Sequence, residues 1–169
     1  DISDILNQIN VTRFENDLLS LQGKRNAVTD PAFLKKSRTY LTEQMAAHLP
    51  VTELKSTVPQ YTCINYESNQ WGTDLPGKIQ IVDAHYDSYG QSPGADDNGT
   101  RTADVWEILR VVNKYAAKKT VRYSLFDLEE SGLVGSNIYL NNQINKKDTV
   151  ESVFNFEMIG YYTEKENTQ

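Results

Sequence analysis

Three apolar runs in this sequence end on side chains able to hold a metal ion. Residues 79–88 read I-Q-I-V-D-A-H-Y-D-S and end at His85 and Asp87. Residues 121–128, V-R-Y-S-L-F-D-L, stop at Glu129 and Glu130, and residues 153–156, V-F-N-F, stop at Glu157. Between the first two lies P-G-A-D-D-N-G at residues 93–99, which holds Asp96 and Asp97. Imidazole nitrogens and carboxylate oxygens are zinc ligands. In open α/β sheets, ligand sites lie outside the carboxyl ends of the strands. The spacing therefore suggests one site along a sheet edge.

Each signal has a plainer reading when taken singly. A lone histidine at a strand end is more often structural, and adjacent glutamates are usually surface decoration. Residues 93–99 also suit a solvated acidic loop that caps the next helix. As an EF-hand the loop fails: aligned on Gly99, the first position is Gly94 and the last is Val105, so both anchoring carboxylates are absent. Asp87 is placed to hold the second ring nitrogen of His85, as outer partners of metal-bound histidines do. Of Glu129 and Glu130, one suits metal binding while the other takes a proton from water. Glu157 sits among Phe154, Phe156, Met158 and Ile159. It is costly there if buried and unpaired, and a cation would remove that cost; pointing to solvent is the plain alternative.

The elements that must position these groups follow from periodicity. Residues 2–21 place Ile2, Ile5, Leu6, Ile9, Phe14, Leu18 and Leu21 at helical spacing, as one or two helices broken near residues 10–12. Asp30 is an N-cap and Pro31 a first helical residue, for a helix running to about Leu49. Residues 51–57 and 61–66 read as strands, and 68–77 as a polar turn region fit for a hairpin connection. Residues 78–85 form a strand apolar enough to be buried on both faces. A long loop fills 86–99, a helix 100–118, a strand 120–128, a helix to about Asn145, a strand 150–156 and a polar tail 158–169. This alternation predicts an α/β fold: a three-layer sandwich with a central mixed, largely parallel sheet and helices on both faces.

The bulk properties restrict the function. The 169 residues suit one domain with a sizeable core. A net charge of −6 argues against a nucleic-acid partner. Cys63 is the one cysteine, so no internal disulfide forms, and a buried inert thiol is the expected role. No apolar run approaches the ~20 residues of a membrane span. The chain starts Asp1-Ile2-Ser3, without an initiator Met or a signal peptide, as a processed or trimmed form would. Asn10-Val11-Thr12 and Asn98-Gly99-Thr100 fit the glycosylation sequon, the second inside the acidic loop where a glycan would obstruct it.

In order, H-x-D, G-A-D-D-N, L-E-E-x-G-L-x-G-S and E-M-I-G-Y resemble the secreted zinc aminopeptidase family that also contains glutamate carboxypeptidase II and, more distantly, the glutaminyl cyclases. The matching segments span residues 79–161. The resemblance implies a zinc exopeptidase-like fold, two Zn2+ ions and removal of N-terminal residues from peptide substrates with a free N-terminus. It implies that His85 binds one zinc, Asp96 bridges both, Glu130 binds the other and Glu157 completes the first. Asp87 would orient His85, and Glu129 would be the general base. It also implies a cis peptide bond between Asp96 and Asp97, and an extracellular or periplasmic location. Many relatives carry Asp where Glu157 stands. The family's second-zinc histidine lies further downstream, and His48 does not match its position. Residues 1–169 are therefore expected to be the N-terminal portion of a single catalytic domain, with the last ligand in a missing C-terminal fragment or a second chain. The rival readings are a catalytically inactive peptidase-like binding module and a single-zinc glutaminyl cyclase.

Overall fold

A computed structural model describes residues 2–144 and 149–160. Two short helices, α1 (Ile2–Leu6) and α2 (Val11–Leu21), open the chain. Asn10 separates them and caps α2 by accepting from Arg13 N at 2.9 Å. Helix α3 (Pro31–Ala46) starts at the expected cap, with Asp30 accepting from Phe33 N at 2.8 Å. Such a cap satisfies one of the four N–H groups that a helix start leaves open. The helix ends before Leu49, whose position ahead of Pro50 disfavours helical backbone.

Five strands follow: β1 (Thr52–Thr57), β2 (Thr62–Gln70), β3 (Leu75–His85), β4 (Lys119–Phe126) and β5 (Thr149–Asn155). Helix α4 (Arg101–Val112) connects β3 to β4, and α5 (Val134–Ile144) follows β4. The strand order is β1-β2-β4-β3-β5. Strand β2 pairs antiparallel with β1 and β4, whereas β3 pairs parallel with β4 and β5. Residues 68–77 are not a hairpin connection: β2 reaches Gln70, β3 starts at Leu75, and β4 lies between them. The polar end of β2 hides its strand character because its partners are polar. Arg122 Nε donates to Asn69 Oδ1 at 2.8 Å, and the Tyr123 hydroxyl donates to Gln70 Oε1 at 3.1 Å.

Alternation along β3 and β4 builds two cores. Val82, Ala84, Tyr123 and Leu125 pack with Leu21, Leu34, Leu41, Met45, Trp106 and Leu109 of α2, α3 and α4. Ile79, Ile81 and Phe126 face the opposite way, onto Tyr139 of α5. The sandwich therefore has three layers. Asp17 of α2 ties the helical layer together, accepting from the Tyr40 hydroxyl at 2.5 Å and from Trp106 Nε1 at 2.9 Å. Cys63 is buried, and burial pushes its thiol pKa up to about 12, as suits an inert thiol. Among the described residues no helix is long and apolar enough to cross a membrane. The expected end of the last helix at Asn145 and most of the polar tail lie outside the described residues.

Strands β3, β4 and β5 run parallel, so their carboxyl ends, at His85, Phe126 and Asn155, share one edge of the sheet. The site assembles at that edge.

Candidate metal centre

His85 ends β3 and is buried, with its carbonyl accepting from the Thr102 hydroxyl of α4 at 2.9 Å. Its two ring nitrogens face different neighbours. Nδ1 lies 3.3 Å from Asp87 Oδ1. Nε2 lies 3.2 Å from Asp97 Oδ1, 3.5 Å from Glu157 Oε1 and 3.9 Å from Glu129 Oε2. Donor atoms of His85, Asp97 and Glu157 all fall within 4.8 Å of one another.

Asp87 joins the ends of two strands. Its carboxylate faces His85 and also accepts from Glu129 N at 3.0 Å and Glu130 N at 3.2 Å. The turn after β4 thereby hangs on the residue that faces the imidazole. An acceptor opposite Nδ1 favours the tautomer with its hydrogen there, which leaves the Nε2 lone pair towards Asp97 and Glu157.

The structure sets Asp96 apart from the His85 cluster. Residues Ala95–Thr100 form a kinked segment leading into α4, with extended rather than helical backbone at Asp97. The kink sends neighbouring carboxylates to different places. Asp97 reaches His85, while Asp96 Oδ1 accepts from Gly160 N at 2.6 Å and takes no part in the His85 cluster. The cis peptide bond likewise lies at Asp97-Asn98, one residue beyond the expected Asp96-Asp97.

Two residues not assigned to the site from the sequence hold Glu157. Asn98 Nδ2 donates to Glu157 Oε2 at 3.2 Å, and Arg101 Nη2 donates to the Glu157 carbonyl at 3.1 Å. The Arg101 guanidinium also covers the Phe156 ring, 5.2 Å from its centroid. Asn98 is buried, so its sequon offers no accessible amide. His48 lies elsewhere, beside Arg13, Arg110, Lys114 and Glu107. Tyr161, the last residue of E-M-I-G-Y, is outside the described residues.

The electrostatics are those of a cation site. Burial alone would lower the His85 pKa, but Asp87, Glu157 and Glu129 outweigh it and hold the imidazole up at about 9. Glu130 is pushed up to about 7 by burial, with repulsion from Asp97, Asp87 and Glu129 adding to it. Burial also raises Glu157. Glu130 Oε1 is buried without a hydrogen-bond partner among the described residues. One imidazole, several crowded carboxylates and an orphaned buried oxygen make a donor set that fits a divalent ion such as zinc.

The sequence pattern of Peptidase family M28 matches residues 70–169. The chain is 32% identical over 152 residues to the aminopeptidase YwaD of Bacillus subtilis, covering 86% of this chain and 32% of that one. The solved structure of Legionella pneumophila LapB superposes with a TM-score of 0.80 at 20% identity, over 95% of this chain and 46% of that one. BSAP, described as a zinc aminopeptidase from Bacillus subtilis, gives a TM-score of 0.56 at 33% identity, over 62% of this chain and 26% of that one. The chain thus spans less than half the length of these three relatives.

Proposed function

The chain belongs to peptidase family M28, and we propose that it carries the metal-binding portion of a zinc aminopeptidase that hydrolyses the first peptide bond of peptides with a free N-terminus. The observation that carries this reading is His85 Nε2 lying 3.2–3.9 Å from the carboxylates of Asp97, Glu157 and Glu129, with Asp87 on the other ring nitrogen. The donor set suits two Zn2+ ions. His85, Asp97 and Glu157 would hold one, and Asp97 with Glu130 the other. Bound zinc would supply a Lewis acid for the scissile carbonyl and a lowered pKa for water.

The chain's own residues have distinct roles. Asp87 fixes the imidazole tautomer and, through Glu129 N and Glu130 N, the position of the two glutamates. Glu129 is partly exposed beside the cluster, where it takes a proton from the attacking water and returns it to the leaving amine. The surrounding carboxylates favour a substrate ammonium, hence a free N-terminus. The second-zinc histidine would come from polypeptide beyond this chain, for which the greater length of the relatives leaves room.

The test is zinc content of this chain after dialysis, then turnover of an aminoacyl anilide by the longer polypeptide that supplies the remaining histidine. About two zinc ions per chain are expected, with turnover lost to a chelator and restored by zinc. No uptake even after zinc is added overturns the reading. Zinc without turnover moves it to a binding module. One zinc with cyclisation of N-terminal glutamine moves it to an acyltransferase.

A further inference from the structure

The turn between α2 and α3 carries a buried cation whose hydrogen bonds all end on main-chain carbonyls. Arg25 is fully buried. Its Nε donates to Tyr86 O at 2.7 Å, its Nη2 donates to Gly94 O at 2.6 Å, and its Nη1 donates to Leu21 O. Nη1 also lies 3.4 Å from both Gly23 O and Pro93 O. Tyr86 sits between His85 and Asp87, and Gly94 lies three residues before Asp97. The guanidinium therefore spans both ends of the loop that separates these side chains. A rigid fork with five donors suits that geometry, and a point-charge ammonium does not.

The surrounding turn reinforces the span. Gly23 N donates to Pro93 O at 2.8 Å, and Ser88 N donates to Arg25 O at 3.0 Å. Asn26 Nδ2 donates to Ser88 O at 3.0 Å, and the Thr29 hydroxyl donates to Gly90 O at 2.6 Å. Gly94 has φ of +57°, and a Cβ there would come within 2.7 Å of Arg25 Nη2, so glycine meets both the backbone and the contact. Gly94 O also accepts from Gly99 N at 3.0 Å, which links the fork to the kink around Asp97.

We propose that Arg25 is a positioning residue for the metal centre: by bridging Tyr86 O and Gly94 O it sets the separation of His85 and Asp87 from Asp97. This rests on the reading of His85, Asp97 and Glu157 as zinc ligands. Arg25 touches none of them. Its effect passes through the loop backbone, and the charge it carries is secondary to the spacing it enforces. A buried guanidinium is costly unless its donors find acceptors, so the carbonyls of Tyr86 and Gly94 are held where it needs them.

The test compares Arg25→Lys and Arg25→Met with Leu41→Ala, a core change in α3 that removes none of these hydrogen bonds. Two quantities are read on the full chain: zinc affinity by equilibrium dialysis, and hydrogen exchange at the amides of Ser88 and Gly99 without metal. Arg25→Met is expected to lose ~10-fold or more in zinc affinity, as removal of an outer support does, and to expose both amides. Arg25→Lys falls between it and the wild type. Leu41→Ala lowers the unfolding midpoint but keeps the zinc affinity of the folded chain. Wild-type affinity and exchange in both Arg25 variants overturn the proposal, as does an equal affinity loss in Leu41→Ala. If Arg25→Met does not fold, Arg25→Lys alone decides on the same two readouts. If the wild type takes up no zinc, the zinc reading fails and exchange decides the positioning role. Exposure of Ser88 and Gly99, with α3 and β4 still protected, then upholds it, and unchanged protection overturns it.

Discussion

Asp96 and Asp97 are chemically identical neighbours with opposite surroundings. Asp97 Oδ1 faces His85 Nε2 at 3.2 Å, whereas Asp96 Oδ1 is taken by Gly160 N. Asp97→Asn keeps the volume and removes the charge, so its zinc affinity should fall by more than the ~10–100-fold that loss of an outer-shell partner costs. Asp96→Asn keeps an acceptor oxygen for Gly160 N, and its affinity should be little changed; equilibrium dialysis of both variants checks the contrast. The ring of His85 and the carboxyl of Glu130 add a pH dependence. Without metal their pKa values stand at about 9 and about 7, and zinc must displace those protons. Zinc affinity should therefore rise with pH and level off above about 9, with proton release counted by titration calorimetry in buffers of different ionisation enthalpy. Stability without zinc runs the other way. The raised His85 pKa contributes stability that is complete below its unfolded value of about 6.5 and is lost as pH rises through about 9. His85→Gln should flatten that part of the melting-temperature profile. The contrast between the aspartates also marks where the sequence stops being informative. His85, Glu129, Glu130 and Glu157 stand out because each closes an apolar run. Nothing in G-A-D-D-N tells which Asp faces inward, since a kink of a few residues decides it. Neither Arg25 nor Asn98 shows its structural role in the sequence, because their partners are backbone carbonyls or residues roughly 60 or more positions away.

Elements announce their type in this sequence better than their ends or neighbours. The β3, β4 and β5 runs are apolar and capped by acidic residues, so their type and their shared edge are legible. The second half of β2 is not, because Glu67, Asn69 and Gln70 find polar partners on β4 that a reading of hydrophobic alternation cannot see. The same holds for the link between α3 and the end of β4. Arg38 Nε donates to the Tyr86 hydroxyl at 2.9 Å, and its Nη2 pairs with the buried Asp127 carboxylate. Asp127 accepts from Ile64 N at 2.9 Å and stands two residues before Glu129. Burial lifts the Asp127 pKa despite Arg38 beside it. Removing only the cation should be severe: Arg38→Met leaves a buried, unpaired carboxylate, and breaking such a pair costs ~3–5 kcal/mol. The double variant Arg38→Met with Asp127→Asn should recover part of that loss, read as a shift in urea midpoint. Equal losses in the single and double variants would show that packing of the Arg38 stem, and not the charge, supports this junction.

At the scale of the whole molecule, the site is a joint between segments far apart in the chain. His85 comes from β3, Asp97 from the kink before α4, Glu129 and Glu130 from the end of β4, and Glu157 from just past β5. The least secured of these is β5. It pairs only with β3, and no strand lies on its other side among the described residues. Val153 and Phe154 are 55% and 50% exposed. Edge elements with few buried contacts open first. The end of β5 is held by Asn155 Nδ2 donating to Asp83 Oδ1 at 2.5 Å, by Asn98 and Arg101 on Glu157, and by Asp96 on Gly160 N. A zinc ion shared by Glu157, His85 and Asp97 would add a tie between the edge strand and the centre of the sheet. Binding to the folded state alone stabilises it by about 2.7 kcal/mol at a free ligand concentration of ~100 times Kd. For a chain of this size that corresponds to a rise in Tm of roughly 5–10 °C. The rise should appear on adding zinc to chelated protein and shrink in His85→Ala, which keeps only the Asp97 and Glu130 donors of the second ion. Hydrogen exchange should place the largest gain in protection at residues 150–155, because that strand has the least holding it beforehand. A zinc-induced rise of undiminished size in His85→Ala would locate the ion elsewhere. A rise without protection of β5 would mean that Glu157 is no ligand, which leaves the ion to the ends of β3 and β4.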